Sequence, residues 1–192
     1  MDYGAGVKMT YFDVIKKECA EYAKQPGAVF IGYNTVFGSR MYGTLADVAP
    51  DKCLEAPVAE NLMAGMAIGM ALEGYRPVIC FERHDFMLLA LDSLVNHLDK
   101  LAWMSGGQFK LPVVVRAIVG GRNKLNAGPM HTQSYATAFR NMFRYTPIIN
   151  GMTEEDIKEG WSLVGNTTSG AVVLIEYKDH YNDELPLASP PK

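Results

Sequence analysis

The chain has 192 residues, of which 48% are hydrophobic and 20% are charged, and its formal net charge is -3 at pH 7. This length is typical of one domain with a substantial core, and the composition excludes a largely disordered chain. The weak negative charge gives no electrostatic reason to expect a nucleic acid or an anionic membrane surface as a partner. No apolar window predicts a membrane span, and residues 1–10 lack the pattern of a secretory signal.

The chain contains three cysteines, an odd number, with no CxxC pair. Cys19, Cys53 and Cys80 each lie in a stretch that is predicted to be part of the core. Reduced thiols are therefore expected rather than disulfides, and the expected location is cytoplasmic.

Two helices are predicted by their start signals. Thr10, with Asp13 three residues later, is typical of a capping box, and this first helix is expected to end near residues 26–27, Pro-Gly. The same pattern recurs at Thr153 and Asp156, where the apolar residues that follow fall on one face of a helix.

Short apolar runs rich in β-branched residues alternate with the helical patterns, which is typical of a parallel α/β sheet. The predicted strands are 28–31, 77–81, 111–118, 147–149 and 171–175, with a shorter one at 52–55. A loop over 33–47 is rich in Gly, Ser, Asn and Tyr. Residues 1–182 are predicted to form the domain, and 183–192, which contain three prolines, a tail or the start of a linker.

The segment 60–74 is predicted to be a helix built from Ala, Met and Gly, ending at Gly74. Gly65 and Gly69 are four positions apart, so another backbone can approach one face closely. Two interpretations stay open. The small residues either pack tightly on the sheet or form a subunit interface, because a helix with almost no polar face must be covered on every side.

Five short motifs occur in a fixed order along most of the chain. They are APVAE at 56–60, GYRP at 74–77, MSGG at 104–107, LPVVVR at 111–116 and GPMHTQ at 128–133. This set resembles the beta subunit of the pyruvate and branched-chain 2-oxoacid dehydrogenases, and the last motif is also similar to transketolase. The resemblance implies the pyrimidine-binding domain of a thiamine diphosphate enzyme, an α/β fold in which a mainly parallel sheet lies between two helical layers.

In that family the cofactor lies between two related domains, one for its aminopyrimidine and one for its diphosphate and Mg2+. The diphosphate signature, Gly-Asp-Gly followed by Asn, is absent from this sequence. The resemblance therefore implies an alpha-type partner subunit that holds the Mg2+, no metal ligands in this chain, and a heterodimer or heterotetramer.

Two residues match catalytic positions of the family. Glu60 corresponds to the glutamate that activates the cofactor through the aminopyrimidine, and it is expected to be partly buried at a strand-to-helix turn. Alone, a glutamate there is also explained by the helix dipole. His131 corresponds to a histidine that faces the substrate for proton transfer or oxyanion stabilisation, with Gln133 as its orienting neighbour. A single loop histidine is otherwise usually only solvated.

The stretch FERHDF at 81–86 departs from the family pattern. An aromatic ring stacks on the aminopyrimidine at about this place, so Phe81, His84 and Phe86 are the cofactor-binding candidates. Arg83 is either a contact for an anionic substrate or the partner of a neighbouring acid, Glu82 or Asp85. Weaker substrate candidates lie in loops: Tyr33, Asn34, Arg40, Arg122 and Lys124.

The leading expectation is a subunit of a 2-oxoacid decarboxylase or dehydrogenase, or of a related carboligase, with the cofactor supplying the covalent chemistry. A split transketolase is disfavoured because Ala127 stands where those enzymes carry an acidic residue. A non-catalytic assembly partner is a third possibility, which the unusual His84 favours mildly. A nucleotide-binding domain is disfavoured because no glycine-rich phosphate loop follows the first strand.

Overall fold

The computed structural model describes residues 9–122 and 126–185. Its strands are β1 (Ala28–Gly32), β2 (Cys53–Glu55), β3 (Arg76–Phe81), β4 (Val114–Val119), β5 (Ile148–Asn150) and β6 (Val172–Tyr177). Its α-helices are α1 (Tyr11–Ala23), α2 (Glu60–Leu72), α3 (Leu101–Met104), α4 (Ala136–Met142) and α5 (Glu154–Ser162). The predicted candidate Lys124 and residues 186–192 of the predicted tail lie outside the described residues.

The six strands form a parallel sheet in the order β2-β1-β3-β4-β6-β5. Each predicted strand is present with bounds that differ by at most three residues, the largest difference being the start of β4 at Val114 rather than at residue 111. Because the strands run in one direction, the loops that follow their carboxyl ends gather along one edge of the sheet, where open α/β sheets bind ligands.

Helices cover both faces of the sheet, which confirms the predicted α/β sandwich. One core contains α1 and α5, and the other contains α2 and α4. Strand β4 shows the alternation that separates them, since Val115 and Ala117 face one core while Val114 and Ile118 face the other. Because the strands are buried on both faces, their sequences are continuous apolar runs rather than alternating ones.

The predicted capping boxes are present at both helix starts. The Thr10 side chain accepts a hydrogen bond from the Asp13 backbone, and Asp13 accepts one from the backbone of Thr10. Thr153 and Asp156 repeat this exchange at the start of α5. The last described residues return to this region, because the Tyr11 amide donates to Asp183 and the Leu185 amide donates to Met9.

The connection between β3 and α3 contains two non-α helical elements that the sequence did not predict. A 3-10 helix, His84–Ala90, leads into a π-helix, Asp92–Leu98. Both elements pack against α2. This packing places the 81–86 stretch beside the helix that begins at Glu60.

Charged residues form a buried pair between two neighbouring strands of the sheet. Arg116 on β4 donates to Glu176 on β6 through Nε and Nη2, at 2.6 and 2.9 Å. Both side chains are fully buried. Arg116 also donates to the Thr44 hydroxyl at 3.0 Å, which links the core to the long loop after β1.

No helix in the described part of the chain has the length and apolar character needed to cross a membrane. Across residues 9–122 and 126–185, no group of three or more His, Cys, Asp or Glu side chains is placed to hold a metal ion. Cys19, Cys53 and Cys80 are free thiols.

Candidate active site

Glu60 begins α2, which follows β2 after the short segment 56–59, and is 4% exposed. No side chain caps this helix at Ala59, so the carboxylate lies at the positive end of the helix dipole. Its one hydrogen-bond partner within the described residues is the Tyr33 hydroxyl, which donates to Oε1 at 3.4 Å. The structure thus gives Glu60 the buried strand-to-helix position that was expected.

Tyr33 follows β1 and is held by burial beside Glu60. Burial raises the pKa of Tyr33, and the carboxylates of Glu60 and Glu82 raise it further. The hydroxyl therefore stays protonated across the working pH range and remains a donor.

The start of the loop after β1 is fixed by Glu55, the last residue of β2. Its carboxylate accepts the backbone amides of Asn34, Thr35 and Val36 at 2.7 to 2.9 Å. Burial alone would raise the pKa of Glu55, but these hydrogen bonds outweigh it and lower the pKa. Asn34 adopts a positive φ of 57° in this turn, so its backbone is a structural element of the loop.

The same loop contains a left-handed turn in which Arg40, Met41 and Tyr42 have φ values between 48° and 56°. Such backbone is costly for residues other than glycine. Arg40 helps to hold it by donating to the carbonyl oxygens of Thr35 and Val48, so this predicted substrate candidate is a loop anchor. The turn directs the Tyr42 ring towards the carboxyl edge of the sheet, where it contacts Arg83.

Of the three aromatic candidates, Phe86 has an accessible ring beside His131. The two rings are 5.4 Å apart at 82°, and Phe86 is only half-buried. Phe81 is fully buried in the core. His84 is also fully buried, packed against Tyr135 and Phe139.

Neither Phe81 nor His84 offers a ring face to a ligand in this structure, which argues against their predicted stacking role. The His84 Nε2 atom is buried without a hydrogen-bond partner in the described part of the chain, and burial lowers the pKa of His84 to about 4 despite the nearby Asp85. His84 is therefore a neutral core residue, and stacking by Phe86 stays a prediction.

Gln133 and Arg83 take partners other than those expected. The Gln133 side chain donates to Asp85 at 3.0 Å, so Gln133 does not orient His131 directly. Arg83 pairs with neither Glu82 nor Asp85, and instead its guanidinium lies 5.3 Å from the centre of the Tyr42 ring. Arg122 holds the loop by donating to the Thr132 carbonyl oxygen at 3.1 Å.

Gly120, which follows β4, brings Arg83 and His131 together. A Cβ atom at this position would overlap the His131 carbonyl oxygen and would lie 2.7 Å from Arg83 Nη1. The absence of a side chain therefore lets the guanidinium and the histidine loop approach each other. The His131 Nδ1 atom is buried and has no hydrogen-bond partner among residues 9–122 and 126–185.

These residues fit the aminopyrimidine half of thiamine diphosphate. Glu60 is a buried carboxylate with an oxygen still available to a ring nitrogen, Phe86 offers a flat apolar ring, and His131 has a nitrogen without a partner. The class that the fold and these residues indicate is an α/β domain with a ligand site at the carboxyl edge of a parallel sheet.

Comparisons with known proteins agree with that class. The family described as "Transketolase, pyrimidine binding domain" matches residues 7–184. The chain therefore belongs to the transketolase pyrimidine-binding domain family.

Curated relatives are named as subunits of one enzyme component. The chain is 32% identical over 142 residues to the pyruvate dehydrogenase E1 component subunit beta-3 of Oryza sativa subsp. japonica, covering 71% of this chain and 36% of the relative. It is 35% identical over 97 residues to the E1 subunit beta of Rickettsia bellii (strain RML369-C), covering 50% and 29%. The aligned region thus spans well under half the length of these relatives.

A solved structure named "Split gene transketolase, inactive beta4 tetramer" has the same fold. Its TM-score is 0.67 at 14% sequence identity, and the match covers 96% of this chain and 56% of that chain. At this identity the likeness supports the fold.

Sequence reasoning missed Tyr42 and the buried pair of Arg116 and Glu176. A charged residue inside each of two otherwise apolar strands is a signal that could have indicated the pair. Tyr42 had no such signal, because its position depends on a left-handed turn built without glycine at residues 40–42.

Proposed function

We propose that this chain is the pyrimidine-binding subunit of a thiamine diphosphate-dependent enzyme that acts on 2-oxoacids, as a decarboxylase, a dehydrogenase component or a related carboligase. The observation that carries this proposal is the buried Glu60 carboxylate, held by Tyr33 beside the segment that carries Phe86. When bound, the cofactor supplies a nucleophilic carbon that adds to the substrate carbonyl.

The chain's own residues have separable tasks in this proposal. Glu60 holds a proton at a ring nitrogen of the aminopyrimidine, and Tyr33 fixes the orientation of that carboxyl group. Phe86 supports the ring plane. His131 donates or accepts a proton at the substrate oxygen through Nε2, since its Nδ1 is buried and has no partner among the described residues.

A partner subunit is part of the proposal because the described residues include no cluster that could hold Mg2+. We propose an alpha-type subunit that carries the diphosphate and metal site, in a heterodimer or heterotetramer. The curated relatives are named as beta subunits, which supports a subunit with such a partner.

The exposed face of α2 supports an interface between subunits. Gly65 and Gly69 have nothing within 4 Å of the position a Cβ atom would take, so packing on the sheet does not require glycine there. Val58 is 74% exposed and Leu62 is 50% exposed on the neighbouring surface. Small residues flanked by exposed apolar side chains favour the interface over the sheet-packing interpretation.

The test is reconstitution of the full chain with a diphosphate-domain subunit, thiamine diphosphate and Mg2+. We expect 2-oxoacid turnover and a cofactor-induced circular dichroism band for the unmodified chain, and loss of both for Glu60→Gln. His97→Gln is a matched control, because His97 lies on the π-helix with 60% of its side chain exposed. Equal turnover and equal dichroism for Glu60→Gln and the unmodified chain would overturn the proposal.

A further inference from the structure

Arg83 is a nearly buried cation without a counterion. It is 8% exposed, and within residues 9–122 and 126–185 its guanidinium forms no ion pair and donates no hydrogen bond. The two adjacent acids are engaged elsewhere, since Glu82 accepts from Ser39 and Asp85 accepts from Gln133. None of its nitrogens is among the buried polar atoms that lack a partner, so the guanidinium reaches solvent and is open to an anionic ligand.

A second cation lies on the same aromatic ring. Lys178 Nζ is 3.7 Å from the centre of the Tyr42 ring, and Arg83 Cζ is 5.3 Å from it. The ring offsets part of the repulsion between the two cations, so they can share one small region. Two cationic side chains therefore meet on one ring, although, besides burial, Glu82 is close enough to raise the pKa of Tyr42.

This region adjoins the candidate active site. Gly120 packs between Arg83 Nη1 and the His131 backbone, so an anion on the guanidinium would lie close to the histidine loop. A guanidinium binds carboxylate or phosphate through two parallel hydrogen bonds.

The chemistry favours an anionic group that stays on the substrate. A strong ion pair with the carboxylate that leaves as carbon dioxide would stabilise the ground state and slow decarboxylation. Arg83 and Lys178 are therefore better suited to bind a second anionic group of the substrate, away from the reacting carbonyl.

We propose that Arg83, reinforced by Lys178 and oriented by Tyr42, forms a subsite for a carboxylate or phosphate group at the non-reacting end of the substrate. This proposal rests on the proposed function and narrows the substrate class to compounds that carry a second anionic group.

The binding test uses the full chain without a cofactor. Succinate and inorganic phosphate are titrated separately at constant ionic strength, and the arginine side-chain NMR signals are followed. We expect saturable binding of at least one probe, weakened about tenfold by Arg83→Gln and less by Arg83→Lys. Arg144→Gln is the matched control, because Arg144 also stacks on a tyrosine, Tyr145, but is exposed.

The two probes separate the two sources of the anion. Preferential binding of succinate assigns the subsite to a carboxylate, and preferential binding of phosphate assigns it to a phosphate ester. Absence of saturable binding with both probes, or equal affinity in a folded Arg83→Gln variant, would overturn the subsite.

A kinetic test in the reconstituted complex compares 2-oxoglutarate with 2-oxopentanoate, which has the same chain length without the second carboxylate. For a carboxylate subsite we expect Arg83→Gln to lower kcat/KM about tenfold for the first compound only. Absence of all turnover would contradict the proposed function, while the binding result would still decide the subsite. Turnover with equal losses for both compounds would contradict the carboxylate assignment and leave the proposed function standing.

Discussion

Tyr33 and Glu60 are 27 positions apart in the chain, yet the tyrosine hydroxyl donates a buried hydrogen bond to the glutamate at 3.4 Å. The contact joins the end of β1 to the start of α2, which follows the neighbouring strand β2. It leaves the second oxygen of Glu60 without a hydrogen bond from the described residues, so Tyr33 sets the orientation of a carboxyl group that remains available to a ligand.

Removal of this hydroxyl should reduce activity without unfolding the chain. For Tyr33→Phe we expect cofactor-dependent turnover in the reconstituted complex to fall about 3- to 10-fold, because one hydrogen bond of this length contributes about 1 kcal/mol. Tyr75→Phe is the control, since Tyr75 is 47% exposed and lies before β3. Unchanged turnover in Tyr33→Phe would remove the orienting role.

The burial of His84 predicts a pH dependence of stability. The pKa of His84 falls from 6.5 to about 4 on folding, so between these values the unfolded chain binds more protons. The stabilising contribution of neutral His84 is therefore present above pH 6.5 and is lost as the pH falls towards 4, on the order of 3 kcal/mol.

Urea denaturation at several pH values measures this effect. His84→Phe should flatten the loss of unfolding free energy between pH 6.5 and 4, whereas the exposed His97→Phe should not. An identical pH profile in His84→Phe and the unmodified chain would show that His84 is not buried in its neutral form.

The ion pair between Arg116 and Glu176 should be sensitive to loss of one partner. Arg116→Met leaves the Glu176 carboxylate in a fully buried site, so we expect the free energy of unfolding to fall by about 3–5 kcal/mol. Replacing both residues with apolar ones of similar size should recover much of this loss. Chemical denaturation measures both, and Lys16→Met, which breaks a more exposed pair with Asp47, should have a much smaller effect.

Substitution of a glycine in α2 allows the stability of the isolated chain to be distinguished from its assembly with a partner subunit. Gly69→Ala should stabilise the isolated chain by about 0.5–1 kcal/mol, because nothing lies near the added methyl group and alanine favours helix. The same change should weaken assembly with a partner, measured by sedimentation. Gly160→Ala in α5 is the contrasting variant for stability. Its Cβ would lie 3.0 Å from Leu174 Cδ1, so the added methyl group is not expected to stabilise the chain as at Gly69. Normal assembly of Gly69→Ala would argue against an interface at this face.

The strands and the capped helices were predictable because their signals are local. Apolar runs mark strands that are buried on both faces, and Thr10 and Thr153 each exchange hydrogen bonds with an acid three residues later. Glu60 was also found from its motif, because the strand-to-helix turn that carries it is a local feature.

The neighbours of those residues depend on contacts between distant segments and were not predictable in the same way. His84 and Phe86 are two positions apart, and only the 3-10 turn after β3 decides that one is buried and the other faces His131. Arg83 contacts the ring of Tyr42, which is 41 residues earlier in the chain. The contact depends on the left-handed turn at residues 40–42, which positions that ring.

The closeness of Gly120 to both Arg83 and His131 has a consequence for how this protein tolerates mutation. A single added methyl group, with no change of charge or polarity, would press on the histidine backbone and on the guanidinium together. Position 120 is therefore a site where a chemically mild replacement is expected to disturb both the proposed proton-transfer residue and the proposed anion subsite at once, although Gly120 has no functional group of its own.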